Sequence, residues 1–244
     1  MYQTDPPRPP QETMPTMYDL PSELIGESGL PDEFHCIQAD LLTETCQPQT
    51  YPSEEILLAS DLNLYYDPRH TLWYKRPDWY MVLGVPSATQ QQDLRLSYVI
   101  WQEGVVPFLV VELLSPGTEQ EDLGKTLREV NQPPSKWEVY ERILRVPYYL
   151  IYDRYENHLR AFQLIGTRYQ AISLPENRLW FQELELGLGL WQGSYQQTTG
   201  LWLRWYNAAS WVPTSKEKAE QERQRADRLA EYLRSQGINP DSLS

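Results

Sequence analysis

Two acidic residues of this chain fall where the pattern of neighbours predicts buried backbone, and a carboxylate placed there needs a cation. Glu112 interrupts the apolar run Phe108-Leu-Val-Val-Glu-Leu-Leu-Ser-Pro-Gly117, which turn residues then close. That is the pattern of a strand covered on both faces. Desolvating an unpaired carboxylate costs several kcal/mol, so Glu112 calls for an arginine, a lysine or a metal ion. Asp78 is placed similarly in Arg76-Pro-Asp-Trp-Tyr-Met-Val-Leu83, at the start of a second strand. A lysine, Lys136, opens the following helix. Two carboxylates converging at one sheet end suit Mg2+ or Mn2+, with water positions left for a phosphate, and a nearby lysine would orient the attacking water or stabilise phosphoryl charge. The plainer alternatives are a glutamate at a strand end that reaches water, Asp78 paired with Arg76 or Lys75, a solvated Lys136 and a core Tyr140.

The elements that would position these residues are legible along the chain. Residues 1–32 are rich in proline (Pro6, Pro7, Pro9, Pro10, Pro15, Pro21 and Pro31) and read as a flexible arm. A helix follows from Asp32, which can cap it, through Phe34, Ile37, Leu41 and Leu42 at helical spacing, ending before Pro48. His35 on this helix is expected to face solvent. Strands are predicted in 56–66, 77–85 and 107–114, with 96–102 as a further short strand or an approach to the central one. Residues 119–134 read as a loop. Ser135 and Glu138 form a capping-box signature for a helix over 135–144. Residues 147–153 form the next buried strand, and 159–164 with 168–172 form a hairpin. Leu179 to Trp211, with Gly187, Gly189 and Gly193, continues the sheet or covers its edge. Residues 216–234 form a charged helix with a weak heptad of Ala219, Ala226, Leu229, Ala230 and Leu233, a short coiled coil or a solvated tail. Gly237 ends it. The order helix, strands with a central acid, helix and strand predicts an α/β/α sandwich with a mixed central sheet. The expected division is an arm over 1–32, a domain over 33–212 and a C-terminal helix over 213–244.

Arg76-Pro-Asp78, Val110-Val-Glu112-Leu-Leu-Ser-Pro116, Lys136 with Tyr140, and Val146-Pro-Tyr-Tyr-Leu-Ile-Tyr-Asp153 together resemble the PD-(D/E)XK nuclease superfamily. More closely, they are similar to the Uma-type restriction endonuclease family. The resemblance covers roughly residues 50–155 and implies a restriction-endonuclease-like fold, metal-dependent DNA endonuclease activity, metal ligands at Asp78 and Glu112, and a catalytic Lys136. One departure matters. The lysine expected two residues after the glutamate is replaced by Leu114, so the role falls to Lys136, whose spacing to Tyr140 fits the family, or to its rival Lys125. A helix start holds a side chain better than a loop does, which favours Lys136. Asp122, Ser115 and Glu55 are candidates for supporting acids or hydrogen-bonding groups.

Composition narrows the classes. The 244 residues carry a formal charge of −13, which counts against a general DNA-coating protein, although a local cation or a metal can offset it. Nine Trp and seventeen Tyr suggest amphipathic surfaces or an interface as well as core. Cys36 and Cys46 lie on one predicted helix about 15 Å apart, too far for a disulfide, and no signal or membrane segment is evident, so a reduced cytoplasmic protein is expected. No histidine or cysteine cluster has zinc spacing and no phosphate-binding glycine loop is present. Double-strand cutting would by analogy imply a homodimer. The contrasting reading is a silent nuclease fold serving as a protein-interaction module, favoured by the acidic balance and the displaced lysine.

Overall fold

The structure, a computed structural model, describes residues 14–16, 19, 33–114, 122–124 and 132–236. The expectations for Asp32, Ser115, Lys125, Gly237 and most of the arm lie outside them. Helix α1 spans Glu33–Thr45. Strands β1 (Ile56–Ala59), β2 (Leu64–Tyr65), β3 (Tyr74–Lys75), β4 (Trp79–Leu83) and β5 (Tyr98–Val99) precede the one-turn helix α2 (Ile100–Glu103). Next come β6 (Leu109–Leu113), helix α3 (Lys136–Glu138) running on as a π-helical turn over Val139–Leu144, and β7 (Tyr148–Asp153). The chain continues with β8 (His158–Ile165), β9 (Arg168–Ala171), β10 (Arg178–Phe181), β11 (Leu186–Tyr195), β12 (Thr198–Tyr206) and helix α4 (Ser215–Ser235).

The central sheet has the order β1-β4-β6-β7-β8-β9. Its β6–β7 pair is parallel and its other pairs are antiparallel, so the sheet is mixed as expected. Alternation along β6 and β7 sends side chains to two separate cores. On one face Trp79, Met81, Val111, Leu150 and Tyr152 pack against α1 and against Phe181, Leu188, Leu203 and Trp205. On the other, Tyr80, Val110, Tyr149 and Ile151 pack against Val139 and Tyr140 of α3 and against Leu64 and Tyr98. Leu64 and Tyr98 belong to a small sheet of order β3-β2-β5.

The α/β architecture and the C-terminal helix agree with the sequence reading, but the region from Leu179 to Trp211 does not extend the central sheet. It forms a separate antiparallel sheet, β10-β11-β12, that shares one face of the central sheet with α1. Gly187 lets two of its strands pack closely. A Cβ there would collide with the Tyr206 ring from the neighbouring strand, so the glycine is the space into which that aromatic packs. Residues 96–102 divide into β5 and α2 rather than forming one strand. In the described part of the arm, the carbonyl of Pro15 accepts a hydrogen bond from Trp101 Nε1 (2.9 Å). Among the described residues no helix is long and apolar enough to cross a membrane.

Candidate active site

Glu112 stands in β6 beside Ile151 of β7, with no solvent exposure. It faces the α3 side of the sheet, because Val110 two residues earlier does. Ser135 caps α3 by accepting from the backbone N–H of Glu138, so Lys136 occupies the first turn and Tyr140 lies four residues on, along the same face. Both reach Glu112. Lys136 Nζ donates to Oε2 at 2.8 Å and the Tyr140 hydroxyl donates to Oε1 at 2.9 Å. The lysine also meets Asp122 Oδ1 at 3.1 Å.

Asp122 is itself buried. Its carbonyl accepts from the Tyr149 hydroxyl (3.0 Å). Two residues later the chain passes directly over Trp137: Gly124 has φ +68, and a Cβ there would come within 2.7 Å of the indole Cγ. Only glycine allows that approach. The other end of the helix is fixed by Glu141, which accepts from the backbone N–H of Tyr169 (2.9 Å) and from Arg168 (3.0 Å), tying α3 to β9.

Asp78 precedes β4. The register Trp79↔Val111, carried one step further, sets Asp78 opposite Glu112. Its Oδ2 accepts from the backbone N–H of Leu113 at 2.6 Å, locking the carboxylate to the end of β6. Arg76, the arginine considered as its partner, turns instead toward Asn63 (2.9 Å) and Asp61 (3.8 Å). His35, expected to face solvent, is buried. Its Nε2 lies 2.9 Å from the Leu113 carbonyl and 4.0 Å from Asp78 Oδ2. The expectation failed because the helix face that looks outward in sequence is covered by the end of β6.

Three carboxylates and one ammonium thus meet at one end of the sheet, Glu112 and Asp122 buried, Asp78 and Lys136 partly exposed. Burial pushes the Glu112 carboxyl well above its usual range; Lys136 pulls it down, while Asp78 and Asp122 push it further up. Burial alone would lower Lys136, but Glu112, Asp122 and Asp78 outweigh it and keep the ammonium protonated. The Tyr140 phenol is raised by burial and by Glu112, so it stays a donor.

Among the described residues no group of three or more His, Cys, Asp or Glu side chains has metal-holding geometry. The donors nonetheless fit a hard divalent cation of the kind held by one or two carboxylates and waters: Asp78, just before β4, and Glu112, in the β6 strand paired with it, are oxygen donors whose mutual repulsion such a cation would relieve. Asp78, Glu112, Lys136 and Tyr140 come together, with Asp122 and His35 beside them. Glu55 lies elsewhere, before β1, where its carbonyl accepts from the backbone N–H of Gly84 (2.8 Å).

A family model described as Uma2, putative restriction endonuclease, matches residues 10–197. The chain belongs to the Uma2 family. That match spans the central sheet, α1, α3 and most of the second sheet. No curated protein matches this Uma2 chain. A solved structure described as a putative nuclease belonging to DUF820, from Anabaena variabilis ATCC 29413, matches at 12% identity with a TM-score of 0.46, over 69% of this chain and 90% of that one.

Proposed function

We propose that this Uma2 protein is a divalent-metal-dependent DNA endonuclease, with Asp78 and Glu112 as metal ligands and Lys136 as the catalytic cation. The observation that carries this reading is the Glu112 cluster. A fully buried carboxylate in mid-sheet is held by a lysine and a tyrosine of one helix, while a second carboxylate is fixed to the next residue of the same strand. A structural ion pair needs only two members. Here three acids crowd one lysine, which is costly unless a further cation is bound.

The chemistry a divalent cation brings to such a pair is water activation and neutralisation of phosphoryl charge. The protein's own part is positional. The Leu113 N–H holds Asp78 in place, and Tyr140 keeps one Glu112 oxygen oriented. Lys136, pinned by Glu112 and Asp122, holds a positive charge at the strand end, where it can donate to an attacking water or to a phosphoryl oxygen. The proton stays on Nζ, because its acidic neighbours keep that pKa high.

Incubating supercoiled plasmid with the protein and Mg2+ or Mn2+ tests this. Cleavage is expected from the wild type and should fall at least about a hundredfold in Asp78→Asn and Glu112→Gln, the scale on which loss of a transition-state electrostatic group acts. Metal-dependent cleavage that survives both substitutions refutes the assignment.

The second reading, a silent fold used for protein interaction, draws on the fact that both Glu112 oxygens are already engaged. It predicts no cleavage by any of these proteins and no divalent-cation binding.

A further inference from the structure

The end of the sheet that carries the candidate site also carries a stack of flat groups that the site does not use. Trp202 of β12 is buried, and its ring stacks on Phe34 of α1, centroids 5.9 Å apart and 24° from parallel. The guanidinium of Arg154, in the turn after β7, lies 4.6 Å from the Phe34 centroid and 4.7 Å from that of Tyr155. Its Nη2 also donates to the Tyr155 hydroxyl (2.6 Å). Tyr155, the outermost member, is 62% exposed. The turn is preformed, since Asp153 Oδ1 accepts from the backbone N–H groups of Tyr155 (2.9 Å) and Glu156 (3.1 Å). Beside the stack lies an open groove of about 360 Å3 lined by Glu33, Phe34, Ile37, Arg154, Thr198 and Trp202.

This stack adjoins the candidate site. Phe34 precedes His35, whose ring reaches the Leu113 carbonyl, one residue after Glu112. Tyr152, two residues before Arg154, is the β7 partner of Leu113, and its ring lies 6.1 Å from that of Phe34. The stack lies on the α1 face and the Glu112 cluster on the α3 face of the same sheet end, so a strand whose phosphodiester sits at Asp78 and Glu112 would reach this turn by crossing the end of β6 and β7. Rigid aromatic rings and an arginine plane are what unpaired bases stack on in single-strand binders. The electrostatics point the same way. Glu33 lines the groove and the chain carries −13 overall, so wrapping a duplex through many phosphate contacts is disfavoured.

We propose that the Phe34–Arg154–Tyr155 stack is a subsite for an unpaired nucleobase, so that the substrate is a single-stranded or locally opened nucleic acid. This rests on the nuclease reading for its placement, but its test does not. Fluorescence anisotropy in EDTA, where no strand is cut, would measure binding of a short labelled DNA single strand, its RNA counterpart and the DNA duplex to the full-length protein. A single strand of either sugar should bind at least about tenfold tighter than the duplex. Arg154→Ala and Tyr155→Ala should each weaken single-strand binding about tenfold without lowering the melting temperature, in line with the stacking contribution of one base. Tyr232→Ala, an exposed tyrosine on α4, should change nothing. Duplex preference, or unchanged single-strand affinity in both stack variants, overturns the subsite. Plasmid cleavage lost in Glu112→Gln would stand regardless, and stack-dependent binding without any cleavage would keep the subsite while removing the nuclease reading.

Discussion

The ammonium of Lys136 sits between the buried carboxylates of Glu112 and Asp122, at 2.8 and 3.1 Å. Removing it leaves two acids in low dielectric with Tyr140 as the remaining donor to Glu112. Lys136→Ala should therefore lose about 3–5 kcal/mol at neutral pH, the cost of orphaning a buried charge. The sign with pH follows from the direction of the shift. Burial already holds the Glu112 carboxyl above its ordinary range and loss of the lysine raises it further, so the penalty is absent in acid and appears as pH rises through the wild-type Glu112 titration. Urea denaturation of the variant and the wild type should thus converge near pH 4 and diverge by pH 7; a pH-independent difference would mean that packing, not charge, is lost. The residues of this cluster were readable in the sequence to different degrees. Glu112 and Asp78 stand out because an acid inside an apolar run needs an explanation, and Lys136 because a lysine at a helix start opposes the helix dipole. His35 was not readable. Its partner carbonyl lies 78 positions away, and nothing local distinguishes a helix histidine facing water from one facing the end of a strand.

At the scale of elements, α4 is held chiefly by its first turn. Thr214 and Glu217 form a reciprocal capping box, Glu217 pairs with the buried Arg204, and Glu44 of α1 accepts from the backbone N–H of Ser215 (2.6 Å) and from Tyr195 (2.9 Å). Burial alone would raise both carboxyls, yet these hydrogen bonds hold Glu44 and Glu217 below the ordinary glutamate range. A lowered folded pKa gives stability that is complete above the unfolded value and lost as pH falls through the folded one. Hydrogen exchange over residues 215–235 should accordingly lose protection below about pH 4 while the central sheet stays protected, and Glu217→Gln should show the loss already at pH 7. The helix itself was legible from its heptad and charges. The assignment of β10, β11 and β12 to a separate layer was not, because alternation predicts that a strand has a buried face without saying which sheet covers it. Gly187 and Gly189 mark close approach, but only the fold reveals that Tyr206 and Arg178 are what approaches.

For the whole molecule, neither the strand order nor the side from which each helix arrives is legible in the sequence, although element order does point to the mixed sheet. The balance of −13 bears on metal as well as on nucleic acid. A cation that binds only the folded chain stabilises it by about 2.7 kcal/mol at a hundred times its Kd, or roughly 5–10 °C for a chain of this size. Thermal melts in Mg2+ should show that rise in the wild type and not in Asp78→Ala. Because Glu112 holds its proton above the usual range, the midpoint of the titration should move to lower Mg2+ as pH increases. A rise of equal size in the Asp78 variant would locate the effect on the acidic surface instead.

The π-helical turn at Val139–Leu144 carries a consequence for ancestry. Such turns accommodate one residue more than the α-helix they interrupt. A relative with a plain α-helix here would be one residue shorter between Tyr140 and Val146 while keeping the spacing of Lys136 to Tyr140. An alignment that forbids a gap at that point would slide β7 by one position, sending Tyr149 and Ile151 to the wrong face of the sheet and hiding the kinship.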